Sequence, residues 1–184
     1  MTDHLPSDLA PDDAALIALW RDGDERAATT LVERHAQAIA RFVASLGEHD
    51  EVEEVVQDTF VRAFGSLDSF RGESSFRTWL LTISRNLLRD RQRGRKRAMH
   101  QVEVHDCDLV STSSALEGAI AAETEQRLRT AVETLSPLQR SIFTLRVTEG
   151  MSYREIAIAV GSTEGAARVH YHNAMRAIRE KIDE

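Results

Sequence analysis

Apolar residues recur at three- and four-residue intervals through most of the chain, and nowhere alternate long enough to make a strand. The first such segment, DDAALIALWRDG from residue 12, predicts a short helix capped by Asp12 or Asp13 and stopped at Gly23. Asp24 then caps ERAATTLVERHAQAIARFVASLG, where Leu31, Ile39, Phe42, Val43 and Leu46 keep helical spacing until Gly47. A third helix, residues 51–64, buries Val52, Val55, Val56, Phe60 and Phe64. It leaves Glu53, Glu54, Gln57, Asp58 and Arg62 pointing elsewhere. Gly72 marks a turn and Ser75 is the N-cap of a fourth helix, whose apolar stripe is Phe76, Trp79, Leu80, Ile83 and Leu87.

The pattern then breaks. From Met99 to Ala122 there is no Lys or Arg, and DCDLVSTSSALEG is polar and aperiodic, which reads as a mobile linker. Periodicity resumes at Glu123, with Leu128, Val132 and Leu135 on one face. Ser136-Pro137-Leu138-Gln139 places Ser at N-cap, Pro at N1 and Gln at N3, a capping box that Ser152-Tyr153-Arg154-Glu155 repeats. Gly150 closes the helix between them. A short helix, a turn at Gly161, a cap at Thr163 and a long helix with Ala167, Tyr171, Ala174 and Ile178 inward then make a helix-turn-helix. The expected fold is all-α. A four-helix domain at 12–97 and a helix-turn-helix domain at 123–184 are joined by a linker at 98–122. The first eleven residues, with two prolines, read as a loose arm.

Charge sharpens this picture. The net charge of -7 speaks against a protein that simply coats DNA. The charge is segregated, however. The third helix is crowded with acid, and the fourth ends in Arg85, Arg89, Arg91, Arg93, Arg95, Lys96 and Arg97. A helical hairpin running from acid to base suits two partners, a basic protein surface and a polyanion. No apolar run approaches the ~20 residues that span a bilayer, and the N-terminus carries acid where a signal peptide carries base. A cytoplasmic protein with no direct membrane insertion is expected. One cysteine, Cys107, excludes an intrachain disulfide. His100, His105, Asp106 and Cys107 are metal-ligand types, but their spacing matches no zinc pattern, so no metal site is expected. There is no Gly-rich phosphate loop and no nucleophile–base pair, so neither catalytic residues nor a cofactor are expected.

Three stretches in order, EEVVQDTFVRAF, SFRGESSFRTWLLTISRNLLRD and LSPLQRSIFTLRVTEGMSYREIAIAVGSTEGAARVHYHNAMRAI, give the chain a resemblance from about residue 12 to 182. It resembles the extracytoplasmic-function sigma factors (group 4 of the sigma-70 family), small two-domain initiation subunits of bacterial RNA polymerase. The resemblance implies promoter-specific transcription initiation in response to a stress or envelope signal, under an anti-sigma factor. It implies that Glu53, Glu54, Gln57, Asp58 and Arg62 dock on a coiled coil of core RNA polymerase; the plainer reading of that face is a solvated amphipathic helix.

It also implies that Phe70, Arg71, Gly72, Ser74, Ser75 and Phe76 shape a pocket for an extruded base of the minus-ten promoter DNA. Trp79, Arg85, Asn86 and Arg89 would line the strand path, and the basic tail after Arg89 would neutralise phosphates. For Phe76 and Trp79 core packing is the competing reading. In the helix-turn-helix the resemblance implies minus-thirty-five contacts. Tyr153 and Arg154 would touch the DNA backbone, the Thr163-capped helix start would meet a phosphate, and Arg168, Val169, His172 and Asn173 would enter the major groove. The helix departs from the family pattern by carrying His170, Asn173 and Met175 where base is common. That thinning, with the acidic balance, leaves open a second reading, a sigma-like decoy that binds an anti-sigma factor without using DNA.

Overall fold

The computed structural model describes residues 11–99 and 119–183. The N-terminal arm, most of the expected linker, and Cys107 with His100, His105 and Asp106 lie outside the described residues. Among the described residues there are eight α-helices, a single 3-10 turn at Leu67–Ser69, and no strand, in keeping with the all-α expectation. The helices are α1 Asp13–Arg21, α2 Glu25–Ser45, α3 Val52–Gly65, α4 Phe76–Met99, α5 Ala119–Glu133, α6 Pro137–Val147, α7 Tyr153–Val160 and α8 Glu164–Ile182. The chain divides into two compact units, Met1–Gln37 and Ala38–Glu184.

In the first unit Asp12 is the cap of α1, accepting the Ala15 N–H at 2.8 Å. Asp13 is thereby left for tertiary work. Its carboxylate receives Arg34 Nη1 at 2.7 Å and lies 2.9 Å from His35 Nε2. Asp24 accepts the Arg26 N–H at the start of α2. Leu16, Ile17, Ala27 and Leu31 are buried.

In the second unit α3 packs on α4. The core takes Val55, Phe60 and Ala63 from α3 and Phe76, Leu80, Leu81, Leu87 and Leu88 from α4. Two details differ from the apolar pattern. Val52, Val56 and Phe64 are only half-buried, while Thr59 is fully buried and donates its hydroxyl to the Val55 carbonyl at 2.7 Å. On α4 a second face is buried as well, through Thr78, Leu81, Ser84 and Leu88, because α7 packs on α4 in addition to α3. That face looks polar in sequence. Ser84 satisfies itself on the Leu81 carbonyl, and Thr78 lies 2.8 Å from Ser75 Oγ, so covering it strands no hydroxyl.

α5 begins at Ala119 rather than Glu123, since the run AIAAE is made of strong helix formers. α5 and α6 both pack on α8, and Ala131, Leu135, Ala174 and Ile178 form a core there, backed by Val132, Phe143, Ala177 and Ile182. Both capping boxes are closed. Ser136 accepts the Gln139 N–H and Ser152 the Glu155 N–H, each at 3.3 Å, with the reciprocal side-chain bonds made. Gly161 sits at φ 65°, ψ 49°, the left-handed conformation that ends α7, and the Ser162 N–H returns to the Ala157 carbonyl. Thr163 Oγ1 then accepts the Ala166 N–H to start α8.

The box at Ser152 sets a pH dependence. The Ser152 backbone N–H, followed by its hydroxyl, holds the Glu155 carboxyl below its ordinary value against a weaker opposing effect of burial. A depressed carboxylate contributes stability that is present above the unfolded-state pKa and lost as pH falls through the folded one. Ser152→Ala is therefore expected to lower unfolding free energy at pH 7 by about 1 kcal/mol. The gap from wild type should narrow below the ordinary glutamate range. Urea unfolding at pH 7 and in acid checks this, and a gap that widens in acid contradicts it.

Candidate nucleic-acid and protein interfaces

On α3, Glu53, Glu54, Gln57 and Arg62 are exposed and Asp58 is half-buried. The face is not a free acidic surface. Arg91 of α4 reaches across, giving Nη1 to Glu51 at 2.7 Å and Nη2 to Glu54 at 2.8 Å and Asp58 at 2.7 Å. Burial works against the charged Arg91 guanidinium, but its hydrogen bonds to Asp58, Glu51 and Glu54 outweigh it and raise its pKa. Arg95 pairs in the same manner with Glu48. Two arginines of the tail expected to neutralise phosphates are thus bonded to acids of this chain. Arg89, Arg93 and Arg97 are exposed. The signal was there to read: acids at 51, 54 and 58, and bases at 91 and 95, each recur at helical intervals.

At the turn before α4, Phe70, Phe76 and Trp79 pack on one another, with ring centroids 5.5, 5.1 and 5.7 Å apart for the three pairs. Phe76 is buried, which is the packing reading, while Phe70 and Trp79 are half-buried. Arg71 and Gly72 are exposed, with Gly72 at φ 71°; Ser74 is half-buried, and Ser75 accepts the Thr78 N–H at the start of α4. Asn86 and Arg89 are exposed one turn apart on the same helix face. Arg85 is not in that row. Its guanidinium lies against Gly161, where a Cβ would run into it, and Nη2 reaches Asn86 Oδ1 at 3.4 Å. Burial, and then the neighbouring Arg89 charge, lower the Arg85 pKa.

In the helix-turn-helix the Tyr153 ring lies between two guanidinium groups, Arg146 at 4.8 Å and Arg168 at 4.7 Å, with Tyr171 edge-on at 5.9 Å. Arg146 is itself anchored on the Met151 carbonyl, and Arg168 pairs with Glu164. Val169, His172, Arg154 and Thr163 are exposed, and Asn173 is half-buried. The Tyr153 ring is a platform for Arg168 in this structure. Tyr153→Ala is expected to weaken duplex binding by about 0.5–2 kcal/mol, as the stacked cation loses its support, whereas Tyr153→Phe should match wild type. Equal losses in both variants, measured by anisotropy, would show that the hydroxyl matters more than the platform.

The acids of α3 tied to one arginine, an aromatic turn leading to Asn86 and Arg89, and a capped helix-turn-helix sit on an all-helical chain. Residues 31–98 match Sigma-70 region 2 and residues 125–178 match Sigma-70 region 4. The chain is 30% identical over 179 residues to the ECF RNA polymerase sigma-E factor of Salmonella typhimurium (strain LT2), covering 92% of this chain and 94% of that one. The Escherichia coli (strain K12) sigma-E factor matches at the same values. Among solved structures, the sigma factor RpoE of Bartonella quintana, in complex with the anti-sigma factor NepR, is 28% identical with a TM-score of 0.69 over 84% of this chain and 96% of that one. CnrH in complex with the cytosolic domain of CnrY is 29% identical with a TM-score of 0.64, over 93% and 97%. The chain belongs to the extracytoplasmic-function sigma factors of bacterial RNA polymerase. No helix among the described residues is long and apolar enough to cross a membrane.

Proposed function

We propose that this sigma factor acts in the cytoplasm as a promoter-specificity subunit with no chemistry of its own. Residues 12–97 dock on core RNA polymerase through Glu53, Glu54, Gln57, Asp58 and Arg62 and open the minus-ten DNA. Residues 123–184 anchor the upstream duplex through Arg168, Val169 and His172. The observation that carries the reading is the pairing of a half-buried aromatic shelf at the start of α4 (Phe70 of the preceding turn, Trp79) with the exposed Asn86 and Arg89 further along that helix. Unstacked bases need a ring to lie on and a cation for the strand that bears them. Since RpoE and CnrH were solved with NepR and CnrY, an anti-sigma factor is the expected negative partner here, released by a stress or envelope signal.

Transcription in vitro with purified core polymerase, this protein and a pool of genomic promoter fragments tests the assignment. Promoter-specific transcripts support it. Their absence, with tight binding to a cognate anti-sigma factor retained, favours the decoy reading, for which the thinned α8 (His170, Asn173, Met175) is the motive.

A further inference from the structure

Val61 is the most exposed large apolar side chain among the described residues, at 71%. The apolar pattern of α3 does not account for it. At about 100° per residue it lies roughly 160° around the helix from the fully buried Ala63, on the side away from the core. The same count puts it in the middle of the polar face, with Gln57 and Asp58 one turn back and Glu54 two turns back. Gly65 follows one turn on. It is exposed and helical, and a Cβ added to it would meet nothing within 4 Å. A merely solvated face has no use for either residue. Valine and glycine are both poorer helix formers than alanine, and an outward valine gains nothing from burial. The contact between the two sigma regions leaves this face open. There Glu149, in the loop after α6, takes Arg41 of α2 at 2.7 Å and Arg77 of α4 at 3.4 Å, while Val61 and Gly65 stay exposed.

We propose that Val61 is the apolar anchor of the α3 face, and that its partner is a basic helical surface of core RNA polymerase with an apolar hole to receive it. The inference rests on the assignment of α3 to core polymerase and adds the residue that holds the complex once charge has formed it. Three carboxylates, Glu51, Glu54 and Asp58, share the single Arg91 guanidinium, so the face keeps an excess of acid and selects a basic partner. Exposed charges of this kind set encounter rate and orientation, and salt screens them. Lifetime comes instead from a few side chains that are fully desolvated at the centre of the patch, inside a polar ring. Val61 holds that central position. Its branched side chain has one strongly preferred rotamer on a helix, so little freedom is lost when it is gripped, and β-branched residues are common knobs where helix packs on helix. Gly65, without a side chain, lets the partner approach closely one turn further on.

The test is the affinity of full-length variants for purified core polymerase at low and at high salt. Val61→Ala should bind about tenfold more weakly, by the same factor at both salt concentrations, with its melting temperature not lowered. Val61→Asp is the sharper variant. It adds an acid to a face whose partner is basic, so charge alone predicts tighter binding. Forcing a carboxylate into an apolar hole predicts binding weaker by about a hundredfold. Glu54→Gln/Asp58→Asn is the electrostatic comparison, and its loss should shrink as salt rises. Should Val61→Asp lower the melting temperature, Val61→Ala decides alone. Wild-type affinity in Val61→Ala, a loss there that fades with salt, or a gain in Val61→Asp overturns the anchor. If the neutralised pair is still impaired, α3 stands as the docking face without it. Wild-type affinity in all three variants overturns the anchor and the assignment of α3 together.

Discussion

Alanine at both Asn86 and Arg89 is expected to reduce open-complex yield on duplex promoter DNA about thirtyfold, and a pre-melted template should recover much of the loss. The pair is exposed on α4, two to three turns beyond Trp79. A lost base hydrogen bond and a lost phosphate contact together cost about 2 kcal/mol, which is the stated factor. Pre-melting rescues because the energy of separating strands has been met beforehand, so weaker capture of the displaced strand matters less. Arg168→Ala makes the contrast. It should cost about 1–3 kcal/mol of discrimination at one or two upstream base pairs, if its guanidinium leaves the Tyr153 ring for a guanine, with no rescue by melting. Potassium permanganate footprinting of both variants at one salt concentration checks this. Wild-type yield for the Asn86/Arg89 variant on duplex DNA, or equal rescue of both, would refute the division of roles.

The second large effect is expected on α3. Reversing Glu54 and Asp58 to Lys should weaken core polymerase binding by one to two orders of magnitude, an effect of the size seen when a charged patch meets like charge. The structure adds a complication that the acid-and-valine pattern did not contain. Both carboxylates also hold Arg91, so reversal places two lysines against that guanidinium and loosens α3 from α4. Glu54→Gln/Asp58→Asn is the cleaner variant, and Arg91→Ala is the control. The control removes three partly exposed ion pairs, about 1–2 kcal/mol of stability after allowance for solvent, yet leaves the acids for the partner. Lower thermal stability with core affinity intact in Arg91→Ala, and the reverse in the neutralised double variant, would separate docking from folding. Unchanged core affinity in the Lys variant would remove α3 from the interface.

Much of this was legible in the chain. Helix starts were, because caps are local chemistry: Asp12, Asp24, Ser75, Ser136, Ser152 and Thr163 each accept a backbone N–H within three residues. So was the inward face of α8, where three small or branched residues at helical spacing, Ala167, Ala174 and Ile178, are all buried. Less legible were faces that turn inward while carrying hydroxyls. Thr59, Thr78 and Ser84 are buried with their polar atoms bonded within their own helix or cap, which an apolar periodicity does not register. Least legible were the pairings over distance. Arg91 and Arg95 read in sequence as part of a phosphate-neutralising tail, and nothing local marked Arg77 or Arg41 for a partner. Their partners lie on elements whose packing no local rule specifies.

Synthesis adds a time axis to one of those pairings. Glu149 follows Arg77 by 72 residues and Arg41 by 108. At the usual pace of translation, 5–20 residues per second, the ribosome needs roughly 4–14 s to pass from Arg77, the later of those arginines, to the glutamate. The caps and the α3–α4 hairpin require nothing from beyond residue 99, and helical contacts of such short range form in far less than a second. Each chain therefore carries both arginines for several seconds before the glutamate that pairs with them has been made.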